Sequence, residues 1–168
     1  NGKLYRGIHG MAGEIGHMFI SDSTGYPCSC GVTGCVQSIS SGVHMARYVT
    51  DRIKEGMDSR ILDHAGTLSN IDMRAVGKAL NQGDPLALEV LEQTAHYLAV
   101  CVFNIYQLLN VDLFVFGGGL VNFGPMLYDR VRAEFDRYNH IPQPVEFRFA
   151  ELKQDFGIIG AAELVRGI

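Results

Sequence analysis

Residues 84 to 109 constrain this chain more than any other stretch. Asp84-Pro85 is an N-cap followed by proline at the first helical position, where the missing N–H costs nothing. Ala87, Leu91, Ala95, Leu98, Val102, Ile105 and Leu109 then repeat at helical spacing for about seven turns. Val100, Cys101, Phe103 and Tyr106 add apolar surface on other faces, so the second half of this helix must be buried on several sides. Such a helix cannot stand in water alone, and the rest of the chain has to wrap it. With 168 residues, 47% of them hydrophobic and 19% charged, there is chain enough for one compact domain and too much apolar content for disorder.

The flanking segments supply the wrapping. From Ser40-Ser41 onward, Val43, Ala46, Tyr48, Val49 and Ile53 are spaced for one buried helical face, with Gly56 as the stop. A polar stretch follows, in which Asn70 or Asp72 caps a short helix through Ala75, Val76, Ala79 and Leu80 that ends at Asn81-Gln82-Gly83. The apolar run Leu113-Phe114-Val115-Phe116 after Asp112 is too short for a helix and reads as a central strand closed by Gly117-Gly118-Gly119. The next helix starts near Phe123-Gly124-Pro125 and continues through Met126, Leu127, Val131 and Phe135. Val145 to Phe149 alternates as a half-buried strand, with Pro142 and Pro144 holding its approach extended. Gly157 to Leu164 reads as a small-residue helix able to approach a sheet or ligand closely. Strands separated by helices make an α/β layered domain.

Several function classes are disfavoured. The net charge of -4 is spread over 18 acidic and 14 basic residues, with no basic run to track a phosphate backbone, so no nucleic-acid contact is expected through these residues. No continuous apolar run approaches the roughly 18 to 20 residues of a membrane helix, and Asn1-Gly2-Lys3-Leu4-Tyr5 has neither the charged nor the apolar region of a signal peptide. A cytoplasmic protein is expected. The chain lacks an initiator Met, and its opening Asn1-Gly2 reads as a hairpin turn, which implies a preceding strand.

Chemistry gathers in the first 42 residues, which hold nearly half of the 20 glycines. His17, Cys28, Cys30 and Cys35 form H-x10-C-x-C-x4-C, a set of soft donors suited to a closed tetrahedral zinc site with no position for a catalytic water. Gly31 and Gly34 supply the backbone freedom that folding sulfurs around an ion requires. The alternative is buried or disulfide-bonded cysteine, but three cysteines leave an odd thiol and nothing indicates secretion. Cys101, within the apolar helix, reads instead as a small core hydrophobe. Glu14, held between glycines three residues before His17, can accept two hydrogen bonds from vicinal hydroxyls, where an isolated glutamate would be merely solvated. Gly117 to Gly119, after a strand and ahead of a helix, is a place where backbone N–H groups can face an anion or a flat ring, or else a tight turn only.

Gly10-Met11-Ala12-Gly13-Glu14-Ile15-Gly16-His17 followed by Cys28-x-Cys30-Gly31-x-x-Gly34-Cys35 closely resembles the two signature motifs of the ROK family (repressor, open reading frame, kinase). Gly117-Gly118-Gly119 and Gly160-Ala161-Ala162 fit downstream, so the resemblance covers essentially the whole chain. It implies one lobe, the C-terminal one, of an actin-like, ribonuclease-H-like ATPase fold, with a zinc-binding loop inserted. Residues 1–42 would be the sugar-site and zinc-loop segment, and residues 43–168 the helices and sheet with the glycine-rich nucleotide turn. Family kinases transfer the γ-phosphoryl of Mg-ATP to a hexose or amino sugar such as glucose, fructose or an N-acetylhexosamine. Carried over by position, Glu14 and His17 would meet the sugar, His17 would also hold structural zinc with Cys28, Cys30 and Cys35, and Gly117, Gly118 and Gly119 would pack against adenosine.

Two departures from the family pattern matter. Its motif ends Cys-x-Glu, with that glutamate on the sugar, whereas this chain has Cys35-Val36-Gln37, so Gln37 keeps an acceptor oxygen but loses the charge. The resemblance also places the general-base aspartate, the phosphate loop and the N-terminal lobe before residue 1, and phosphoryl transfer needs elements of both lobes, so the 168 residues alone are expected to be inactive. The leading expectation is a sugar kinase lobe, the rival the effector domain of a ROK repressor whose DNA-binding part lies upstream, and the third a zinc-stabilised interaction domain. A homodimer is expected, since family members pair through this lobe and an unpaired strand edge needs covering.

Overall fold

The computed structural model describes residues 4–140, 144–152 and 156–166. The turn expected at Asn1-Gly2 and the extended backbone expected at Pro142 lie outside them. The element order is α1 (Val36–Ser40), α2 (Gly42–Lys54), α3 (Ile61–Ala65), α4 (Met73–Leu80), α5 (Pro85–Leu109), β1 (Leu113–Phe116), α6 (Pro125–Tyr138), β2 (Glu146–Phe149) and α7 (Phe156–Val165). Short 3-10 turns sit at Ile15–His17, Leu68–Asn70 and Gly118–Phe123.

Helix α5 is the axis of the core. Leu86, Ala87, Val90, Leu91, Ala95, Leu98, Ala99, Cys101, Val102 and Tyr106 are all buried, and α1, α2, α4 and α6 pack around them. Cys101 is fully enclosed, and burial alone pushes its thiol up to about 11, which suits a core hydrophobe. The last turn departs from expectation: Leu109 is 62% exposed, beside an exposed Leu108, since helical spacing sets which residues share a face but not how far along the helix other elements cover it. The helix also corrects the membrane argument. By length and composition α5 is long and apolar enough to cross a bilayer, since the few polar residues in its apolar window interrupt a continuous run without lowering its average; over half of that window is buried inside the fold.

Asp84 determines where α5 begins. Its carboxylate accepts the N–H of Ala87 (2.8 Å), the Ser59 hydroxyl (3.0 Å) and the N–H of Arg60 (2.7 Å), so one buried side chain caps α5 and fastens the start of α3. Asp72, not Asn70, caps α4, accepting from Arg74 and Ala75. Ser41 caps α2, whose buried residues are Met45 and Val49. Val43 does not join that face and is 78% exposed, because two residues before Met45 it lies about 200° around the helix axis.

The crossover β1–α6–β2 brings two parallel strands together in the register Phe114 opposite Phe147 and Phe116 opposite Phe149. Phe147 is the aromatic hub, edge-on to Phe114, Phe116, Tyr128 and Phe135 at 5.3–6.1 Å between ring centroids. Leu127, Val131 and Phe135, at four-residue spacing, carry α6 into the same core. The expectation of a central buried strand is corrected: among the described residues β1 pairs with β2 alone, and Leu113 and Val115 are exposed. A strand is buried on both faces only when sheet neighbours and covering helices lie on both sides. The small-residue helix α7 forms, but Gly157 to Ala162 are exposed rather than pressed against a sheet.

Asp84→Ala removes an N-cap and leaves the Arg60 N–H without its acceptor, so urea denaturation should show a loss of about 2–3 kcal/mol, with Asp84→Asn intermediate.

Candidate metal centre and adjoining pockets

The segment before α1 folds by turns and two isolated antiparallel bridges, Phe19 with Cys35 and Pro27 with Thr33. Its narrowest point is Gly34, at φ +93°, where a Cβ would lie 1.7 Å from the carbonyl oxygen of Ser21. Only glycine permits that approach, through which Gly34 O accepts from the N–H groups of Ile20 (2.9 Å) and Ser21 (3.1 Å). Ser38, fully buried, closes the other side: its hydroxyl donates to Cys35 O (2.8 Å) and accepts from Gly34 N–H (3.0 Å). Helix α1, unexpected from the sequence, thus starts directly after Cys35, its N-cap residue, which has zero exposure.

The loop is tied to α2 by Tyr26. Its hydroxyl donates to Asp51 Oδ2 (2.8 Å), the Arg47 guanidinium lies 4.3 Å over its ring, and burial with the Asp51 carboxylate pushes the phenol up to about 12. His44 Nε2 and Pro27 O, 3.4 Å apart, make a second link.

These constraints bring His17, Cys28, Cys30 and Cys35 together, with one ligand atom from each within 4.8 Å of all the others. Cys28 Sγ is 3.7 Å from His17 Nδ1. Tetrahedral coordination at about 2.3 Å to sulfur and 2.1 Å to nitrogen would separate such a pair by about 3.6 Å. None of the four cysteines of the chain is in a disulfide. The backbone N–H of Cys30 holds the Cys28 thiol down at about 6 against the opposing effect of burial, and the Cys35, Cys30 and His17 side chains add to the lowering. The donor set therefore fits a soft divalent ion. Cys28 and Cys35 are buried, while Cys30 and His17 face solvent, so the site has a closed and an open side.

His17 turns its other ring nitrogen toward Glu14: Nε2 is 4.0 Å from Oε2, with the glutamate side chain 66% exposed. Gln37 lies beside them, its Oε1 3.4 Å from where a Cβ on Gly16 would sit. The three residues expected at a sugar, Glu14, His17 and Gln37, are thus drawn together by the 3-10 turn Ile15–His17 and α1, which pack on each other.

The glycine triplet divides. Gly118 and Gly119 line a cavity of about 460 Å³ with Asp72, Met73, Arg74, Val121 and Asn122, a volume in the range of about 300–1,000 Å³ usual for small-molecule sites. Gly117, in extended backbone, is not among the lining residues. Gly118 requires glycine for its φ of +74°, but Gly119 has no such need, and a Cβ there would meet nothing within 4 Å. Sequence reasoning missed Asp72, Arg74 and Asn122 as partners in this cavity. Asp72 was legible only as a cap, and nothing in the sequence relates it to residues 46 positions downstream.

Known proteins resemble this chain over most of its length. The chain is 35% identical over 171 residues to a glucokinase of Halalkalibacterium halodurans, covering 99% of this chain and 51% of that protein. It is 29% identical over 133 residues to the DNA-binding transcriptional dual regulator NagC of Escherichia coli, covering 79% of this chain and 31% of the regulator. Among solved structures, a ROK family glucokinase from Streptomyces griseus in complex with glucose and AMPPNP superposes with a TM-score of 0.84 at 29% identity, over 98% of this chain and 54% of that one. The chain spans about half the length of the glucokinases it matches. The model of the ROK family itself matches residues 1–168 without remainder, and the chain belongs to the ROK family.

Proposed function

We propose that these residues form the C-terminal, sugar- and metal-binding lobe of an actin-like ATPase fold in a ROK sugar kinase. The parent protein would transfer the γ-phosphoryl of Mg-ATP to a hexose or amino sugar. The observation that carries this reading is the position of the His17 imidazole, with Nδ1 toward Cys28 Sγ and Nε2 toward the exposed Glu14 carboxylate. One ring thereby couples the donor cluster to a group able to accept two sugar hydroxyls. Glu14 and Gln37 bind and orient the sugar, and Gln37, with one acceptor and one donor, favours a different hydroxyl pattern from a carboxylate. Bound zinc would supply structural cross-linking of the loop and no reacting group, because all four ligand positions are filled by side chains. Gly118 and Gly119 leave room for the nucleoside. The general base is supplied from outside residues 1–168, and this lobe by itself turns over no substrate.

The similarity to NagC supports a second reading, in which the same pocket senses sugar for a repressor. The cavity at Gly118 and Gly119 favours the kinase, since a sensor of sugar alone has no use for it. The exposed Leu108, Leu109, Leu113 and Val115 support association with further protein, and a cytoplasmic homodimer is the proposed form.

Full-length protein incubated with Mg-ATP and a panel of hexoses and N-acetylhexosamines should release ADP with at least one of them; no turnover with any would leave the repressor reading. Glu14→Gln should raise the sugar KM about 10- to 100-fold, the loss expected for charge-assisted hydrogen bonds. The purified protein should carry about one zinc per chain, and a folded preparation without metal after chelator-free purification would refute the site. Gly34→Ala alters no donor, yet it should abolish most zinc binding while far-UV circular dichroism stays close to wild type.

A further inference from the structure

The cavity beside Gly118 and Gly119 has a second wall that neither the motifs nor the sequence spacing assign. It is the first turn of α4, with Asp72, Met73 and Arg74 facing Val121 and Asn122. Two features of that wall bear on what the cavity holds. Asp72 caps its own helix with a single oxygen, Oδ1, which accepts the N–H groups of Arg74 (3.0 Å) and Ala75 (2.9 Å). Oδ2 has no hydrogen-bond partner among the described residues. The helix end that would otherwise attract phosphate is thus occupied by a carboxylate, which repels an anion and accepts hydroxyls. This end of the cavity suits the sugar of a nucleoside rather than its phosphates.

The second feature is the fixed separation of the walls. Gly77 packs α4 onto the Gly118–Phe123 turn so closely that a Cβ there would lie 2.4 Å from Asn122 O. Gly77 is in ordinary helical backbone, so that contact rather than a dihedral angle requires glycine. Five residues earlier, about 7.5 Å along the helix axis, Asp72 is held at a set distance from Gly119, where the absent side chain leaves open space.

We propose that Asp72 is a specificity-determining residue for the nucleotide, reading the vicinal ribose hydroxyls of a ribonucleoside held against Gly118 and Gly119, with Gly77 the positioning residue that sets the reach. The inference rests on the kinase reading above. Arg74, without an ion-pair partner among the described residues, presents a planar cation beside the same cavity that can stack on the base.

The test compares ATP with 2′-deoxy-ATP on the full-length protein, wild type and Asp72→Asn. Asparagine keeps the capping oxygen, so the fold is retained, while the second acceptor becomes a donor. Wild type should prefer ATP over 2′-deoxy-ATP by about 10- to 100-fold in KM, and Asp72→Asn should collapse that ratio toward one, acting on KM far more than on kcat. Gly77→Ala should raise the KM for ATP while zinc content is retained. A wild type indifferent to the 2′ hydroxyl, or an Asp72→Asn ratio equal to wild type, overturns the proposal and reduces Asp72 to a cap. If no sugar is phosphorylated, the kinase reading fails separately, and calorimetric titration with the two nucleotides still decides: preferential ATP binding lost in Asp72→Asn supports the inference, and equal or absent binding overturns it.

Discussion

Everything in this fold depends on covering α5. A 25-residue helix whose buried side chains span most of its circumference is stable only inside a sleeve of other elements. The sleeve here is α1, α2, α4 and α6, and each of its parts carries a functional consequence. Helices α1 and α2 anchor the loop of the donor cluster, α4 forms one wall of the 460 Å³ cavity, and α6 is the crossover that pairs β1 with β2. Hydrophobic burial positions the chemistry without taking part in it, since Met45, Val49, Val76 and Leu91 touch neither site yet fix the helices that do.

The donor loop follows a different principle, because it has almost no apolar core of its own. Its shape comes from backbone hydrogen bonds permitted by glycine and from one buried hydroxyl, Ser38. Those bonds bring three sulfurs and an imidazole within 4.8 Å of one another. Preassembly matters because the loop's own hydrogen bonds then order the ligands ahead of the ion, which has only to bind and neutralise the cluster. The hydrogen bond that lowers the Cys28 thiol belongs to the same arrangement. A metal held there would stiffen the loop and, through His17, the setting of Glu14.

Departures from the sequence reading share a physical origin. Val43 fits a helical stripe by spacing, but the stripe is centred on Met45 and Val49, and which arc of an amphipathic helix faces inward depends on what packs against it. Leu113 to Phe116 has the composition of a buried strand, yet burial belongs to a sheet, and its neighbours are not coded within the segment. Helix α1 is only five residues long and is stabilised by Ser38 and by contact with α5, so no local periodicity announces it. The continuous apolar run sought as a membrane signal does not register α5, whose polar residues interrupt the run but not the average.

The sequence by itself determined the elements whose information is local. These are the Asp84-Pro85 helix start, the apolar stripe it opens, the alternating strand at Val145 to Phe149, and the His17, Cys28, Cys30 and Cys35 spacing that matches the ROK pattern. Tertiary structure alone decided the relations between distant residues. It set the Gly34 approach to Ser21, the hold of Tyr26 on Asp51, and the meeting of Asp72 with Gly119 across a gap set by Gly77 and Asn122. The reason is that caps, periodicity and ligand spacing act over a few bonds of chain. A cavity wall, by contrast, is a contact between segments, and its geometry exists only once the core has fixed how those segments lie.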